Sequence, residues 1–204
     1  MSPAATILLA MLLPLIGAVG IVALGERRAN AREALTLLTS IGLTAIVWSL
    51  LPSVMAGERP AVTVGEFVPG VSFAFAVEPL GMTFAALASA LWIVNSIYSI
   101  GYMRANKEKQ QTRFYALFAV ALAAVIGIAF AGNLLTLFLF YEMLTLSTYP
   151  LVAHKGDAPT LQSARVYLGV LLATSIGLLL PAIIWTYAVA GTGDFTSGGI
   201  LAGK

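Results

Sequence analysis

The sequence predicts an all-α polytopic membrane protein: six transmembrane helices, with a short external β-hairpin between the second and third. Three observations predict it. Of 204 residues, 59% are hydrophobic and 10% charged, where a soluble domain carries roughly 25% charged residues. The apolar residues gather into six runs of about 18 to 25 residues, the length that crosses a hydrocarbon core of ~30 Å at ~1.5 Å per residue. One connection alone, the longest, alternates with a period of two.

The first run, Pro3–Leu24, has no basic residue before it and Arg27 and Arg28 after it. That is the reverse of a cleavable signal peptide, so the run reads as a retained span. The second run is Ala34–Met55. In the connection that follows, Val62 and Val64 flank Thr63, and Val71, Phe73, Phe75 and Val77 alternate with Ser72, Ala74 and Ala76. Pro69-Gly70 between them has the chemistry of a type II turn, so a hairpin is expected. It is suited either to linking neighbouring subunits or to covering helix ends. The remaining runs are Pro79–Met103, with Asn95 near its middle, Phe114–Ala131, Asn133–His154, and Val166–Ala190, which contains Pro181.

Topology follows from the basic residues. Arg27, Arg28 and Arg32, then Arg104, Lys107, Lys109 and Arg113, then Lys155 and Arg165 fill the first, third and fifth connections. These are nine of the eleven Lys and Arg; the opposite side holds Arg59 and Lys204. Basic loops stay in the cytoplasm, so a multi-pass protein of the inner (cytoplasmic) membrane is expected, with both termini outside. The net charge of +2 is then anchoring charge at the lipid surface, and no nucleic-acid partner is expected.

Asn133–His154 is the one run with an interior charge. Glu142 lies within two residues of its midpoint. An ionised carboxylate there costs roughly 2.5 kcal/mol or more, so a partner, a cavity or a proton must take up the charge. Glu142 is therefore a candidate proton-transfer group; the alternative is a neutral side chain hydrogen-bonded between helices for packing. Thr145 and Tyr149, three and seven residues on, share its face, whereas Ser147 and Thr148 point elsewhere. A line from Glu142 through Thr145 and Tyr149 toward His154 and Lys155 would suit a water-filled path, with Asn95 a further candidate lining residue. Against it, hydroxyls in membrane helices more often bond their own backbone or join helices, and His154 at the water boundary reads more readily as a solvated side chain than as a relay. Pro150 and Pro181 each remove a helix hydrogen bond and loosen the backbone there.

Covalent chemistry finds no support. There is no cysteine and one histidine, which leaves no disulfide framework, thiolate site or His cluster. No HExxH, phosphate-cradling Gly loop or second intramembrane carboxylate is present, so no catalytic residue, metal or cofactor is expected. Charge movement through the membrane, or a scaffold role, remains.

The strings YSIGYM, RFYALFAVALAAVIGIAFAGNLLTLFLFYEMLTLSTYPLVAHK and GTGDF resemble the antiporter-like proton-translocating subunits of respiratory complex I, Mrp-type Na⁺/H⁺ antiporters and membrane-bound hydrogenases. GNLLTLFLFYEMLTLSTYPLV is the most specific part and is similar to that family's fifth helix with its acidic residue. The resemblance implies that Glu142 takes part in proton transfer and is coupled to a lysine on a seventh helix. It also implies about fourteen helices, with two inverted five-helix repeats starting at the fourth and ninth. Residues 1–112 would then be an N-terminal three-helix region, and 113–204 the first three helices of a repeat truncated or split before helix seven. No Lys or Arg lies inside the six runs, and Lys204 lies outside any apolar run, so the lysine is expected from a partner. A membrane subunit of a cation/proton-translocating complex, moving H⁺ with or without Na⁺, is the function this implies; a non-transporting assembly subunit is the other reading.

Overall fold

The computed structural model describes residues 2–68 and 71–202. Its helices are α1 (Pro3–Leu24), α2 (Ala29–Trp48), the short α3 (Leu51–Met55), α4 (Pro79–Ala105), α5 (Gln111–Ala129), α6 (Leu134–Val152), α7 (Ala158–Thr174) and α8 (Leu180–Ala190). A short turn joins α2 to α3, and a π-helical turn at Ser175–Leu179 joins α7 to α8, so the described residues form six helical stretches long and apolar enough to cross a membrane. Strands β1 (Ala61–Val68) and β2 (Val71–Ala76) pair antiparallel between α3 and α4, with Ala61 opposite Ala76 and Thr63 opposite Ala74. The hairpin is where the alternation put it; the Pro69-Gly70 turn lies outside the described residues.

Two helix starts differ from expectation by five residues or more, and the other ends by three or fewer. α2 begins at Ala29, five residues before the apolar run, because Ala, Arg and Glu are good helix formers and continue the helix into the polar region. It breaks at Ser49-Leu50 because Pro52 cannot donate to the carbonyl of Trp48. α7 likewise starts at Ala158, capped by Asp157, whose carboxylate accepts from Thr160 N–H at 2.8 Å. Arg165, expected in a loop, is therefore an exposed helical residue. The π turn is the product of Pro181, which lacks an N–H and crowds the carbonyl of Gly177; the chain widens, and Leu180 N–H donates five residues back to Ser175 O. Pro150, by contrast, is held inside α6, which runs on to Val152.

α5 is the axis of the bundle, packed by α1, α4 and α6, with α2 behind α1 and α4. Of the apolar stretch in α5, 56% is buried, against 11% in the α7–α8 stretch, which leans on α6 at the edge. Gly81 and Gly127 are among the places where close approach depends on glycine. A Cβ on Gly81 would collide with the carbonyl of Ala129, and one on Gly127 with the ring of Phe140. Phe140 also takes the inward face of β2: its ring centroid lies 5.9 Å from Phe73 and 5.6 Å from Phe75. Phe75 and Val77 are fully buried, as period-two alternation requires.

The hairpin is tied down at the end of the bundle opposite the basic connections. Ala76 N–H donates to Phe130 O at 2.8 Å and Gly132 N–H to Ala74 O at 2.9 Å. Asn133 then works twice: its Oδ1 caps α6 through Thr136 N–H (2.8 Å), and its Nδ2 donates to Ser72 O (2.7 Å). Leu134 N–H donates to Gly193 O and Phe195 N–H to Gly132 O, so the GNLLT and GTGDF strings, far apart in sequence, meet here.

Candidate functional site

Asn133 and its cap start α6, and the uninterrupted apolar run carries the helix past Glu142 near its middle. The side chain is half-buried, and its Oε1 is buried with no hydrogen-bond partner among the described residues. That is a costly place for a carboxylate unless a proton or another chain supplies what is missing. Tyr141, one residue before it, lines a cleft of about 390 Å³ with Thr174, Ser175, Leu178 and Leu179. The cleft thus opens at the π turn that Pro181 creates, where helix backbone is least regular.

The rest of α6 divides by function. Ser147 Oγ donates to Leu144 O at 2.9 Å, and Thr148 Oγ1 to Thr145 O at 3.0 Å; both hydroxyls are spent on their own helix. Thr145 is buried and Tyr149 half-buried, and neither hydroxyl bonds another side chain among the described residues. From Glu142 to Tyr149 the helix rises about 10 Å, and to its end at Val152 about 15 Å, with His154 in the turn beyond, so any proton path along this face runs through water between the side chains.

His154 is not a solvated side chain. Both ring nitrogens are buried and unpartnered among the described residues, and the ring stands edge-on to Phe114 with centroids 5.8 Å apart. Its carbonyl accepts from Arg113 Nη2 at 3.1 Å. Burial first, and then the Arg113 charge, hold the imidazole below the usual histidine range, in its neutral form. Lys155 beside it is exposed. Asn95 is not brought to Glu142; it lines a separate small cleft with Leu91, Trp92, Phe118 and Leu122, between α4 and α5.

A second polar cluster lies at the basic end, and reading the sequence for anchoring charge missed it. Arg32 is 1% exposed. Its Nη1 donates to Glu26 Oε2 (3.0 Å) and Thr112 Oγ1 (3.1 Å), and its Nη2 to Gln111 Oε1 (2.7 Å). Its guanidinium carbon lies 5.3 Å from the centre of the Tyr115 ring. The buried Glu33 pairs with Arg32 at 3.6 Å and with Arg104 of α4 through both its oxygens. Arg32 is therefore not a lipid-surface anchor but the bolt between α2, α5 and, through Glu33, α4. The available signal was the acid beside it: an Arg-Glu pair with an upstream Glu26 suits a closed network better than an anchoring run.

Residues 131–199 match a family model described as the transmembrane region of NADH:quinone oxidoreductases and Mrp antiporters. The chain is 27% identical over 154 residues to NAD(P)H-quinone oxidoreductase subunit 5 of Paulinella chromatophora, an alignment covering 69% of this chain and 22% of that protein. It is 29% identical over 107 residues to Na⁺/H⁺ antiporter subunit A1 of Staphylococcus aureus, covering 52% of this chain and 13% of that one. In fold it superposes with a TM-score of 0.79 at 18% identity on a chain of the membrane-bound sulfane sulfur reductase, an archaeal respiratory membrane complex, covering 92% of this chain and 38% of that chain. The chain thus spans a minor part of each relative it matches.

Proposed function

From the membership of residues 131–199 in the NADH:quinone oxidoreductase/Mrp antiporter transmembrane family, we propose that this chain is a membrane subunit of a multisubunit cation/proton-translocating complex, and that Glu142 bears the proton. The observation that carries the reading is the buried, unpartnered Oε1 of Glu142 at mid-helix. Thr145 and Tyr149, whose hydroxyls are not spent on their own helix, continue the path toward the basic side, and His154 and Lys155 stand at its mouth. The buried, neutral imidazole suits a relay because it can take a proton at one nitrogen and release one from the other. Asn95 has no place in this path.

The missing partner is a cation. None of the described residues supplies one to Glu142, so a lysine of a neighbouring subunit or of further helices fills that role, from the side where α7–α8 is least covered. Proton binding at Glu142 would weaken that ion pair and free the cation to bias the next site. With the basic connections held in the cytoplasm, both ends of the chain face outward across the inner membrane.

Substituting Glu142 tests the assignment. Glu142→Gln keeps size and hydrogen-bonding ability but cannot ionise; the complex should assemble at wild-type level while proton translocation in vesicles falls at least tenfold. Glu142→Asp should retain partial activity. Wild-type translocation by an assembled Glu142→Gln complex, with Glu142→Ala damaging assembly instead, would leave Glu142 a packing residue and the chain an assembly subunit.

A further inference from the structure

Between α1 and α5 runs an open groove of about 590 Å³, lined by Ala18, Val19 and Val22 on one wall and by Ala116, Leu117 and Val120 on the other. From Thr112 to Val120 it extends about 12 Å along the helix. Its walls are apolar throughout, and its one charged lining residue, Arg113, closes the basic end. Arg113 forms no ion pair among the described residues, and its Nε–H is buried without an acceptor. Because that Nε–H is enclosed by protein, a groove ligand would meet the guanidinium at its terminal nitrogens, of which Nη2 alone has a partner among the described residues, the His154 carbonyl. One carboxylate at this end, Glu26, is committed to Arg32 and to Thr112 N–H. Arg27 and Arg28, in the 3₁₀ turn just after α1, are exposed at the same end. An apolar channel capped by positive charge at one end only has the charge pattern of an amphiphile with an anionic head.

We propose that this groove binds an anionic phospholipid, one acyl chain lying between α1 and α5 and the phosphate meeting Arg113, with Arg27 and Arg28 adding attraction. The lipid would seal α1 against α5 where no side chain fills the gap. It would also sit beside the His154 carbonyl that Arg113 holds, which places a lipid head next to the mouth of the path proposed above. The lipid site itself does not depend on that path.

The test uses the native complex in nanodiscs of equal phosphatidylglycerol and phosphatidylcholine. A photo-crosslinking amino acid replaces the exposed Val22, and the adducts are identified by mass spectrometry. Phosphatidylglycerol adducts should exceed phosphatidylcholine adducts. Arg113→Gln should cut that preference about fivefold, the share of one surface-proximal arginine. Lys107→Gln, removing an exposed charge on the same side but outside the groove, should leave it unchanged. Val19→Trp, a change at a lipid-facing position that fills the groove, should abolish both adducts while the complex stays assembled. Equal adduct yields, an equal loss with Lys107→Gln, or a peptide from a neighbouring subunit as the adduct would each overturn the proposal. Proton translocation is not the readout, so failure here leaves the role of Glu142 standing.

Discussion

His154 and Arg32 show what burial does to single polar side chains. For His154 the folded state disfavours the proton, so its folded pKa lies below the ordinary value of about 6.5. The unfolded chain then binds more protons than the folded one in that window. Stability contributed by the neutral ring is present above about pH 6.5 and is lost as pH falls from there through the lowered folded value. The unfolding midpoint in detergent should drop across that range in the wild type, and His154→Gln should flatten the drop; an unchanged slope in the variant would refute it. Arg32 is the opposite case, charged and buried among acceptors. Arg32→Met leaves Glu33 to Arg104 alone and strips Glu26, Thr112 and Gln111 of their donor, and breaking such a buried pair costs about 3 kcal/mol. Arg32→Lys should rescue little, since an ammonium cannot bridge Glu26, Thr112 and Gln111 as a planar fork does. Denaturant titration of the reconstituted variants reads both.

Elements here are joined by a few tight contacts, and each offers a test. Asn133 caps α6 and holds β2 at once. Asn133→Ala should cost about 1–3 kcal/mol, a cap plus one further hydrogen bond. Asn133→Asp keeps the capping oxygen but turns a fully buried second oxygen against Ser72 O, so it should cost at least as much. If protease accessibility of the hairpin is unchanged in Asn133→Ala, the tie does not hold the strand. Gly81 lies against the carbonyl of Ala129 where α4 crosses α5. Because backbone cannot yield as a side chain does, Gly81→Val should cost about 1–3 kcal/mol of strain, read as a lowered thermal midpoint of the assembled protein. The same logic explains why the π turn belongs to the fold: Pro181 leaves α7–α8 no regular hydrogen bond at Gly177, and the widened turn shapes the cleft beside Tyr141.

At the scale of the whole molecule, the asymmetry of nine basic residues against two sets an expected orientation. Because the chain has no cysteine, single cysteines at Ser2, Lys107 and Thr196 report it cleanly. An impermeant thiol reagent on intact cells should label Ser2→Cys and Thr196→Cys, and spare Lys107→Cys; the reverse pattern would invert the topology. The spans were legible because composition, run length and charge placement are local properties that lipid constrains residue by residue. The hairpin was legible because strand alternation has a period the eye can count. Glu142 stood out because a lone acid in an apolar run has few explanations, and it lies in the segment that matches the family model. Tertiary structure alone decided the rest. That Arg32 is buried, that His154 is enclosed by Phe114 and Arg113, and that GNLLT meets GTGDF all depend on which helices neighbour which. That neighbourhood is set by long-range packing around α5, where small residues such as Gly81 and Gly127 permit close approach. A charge beside an apolar run reads the same whether it ends in water or in another helix's carboxylates, and only the fold chooses between them.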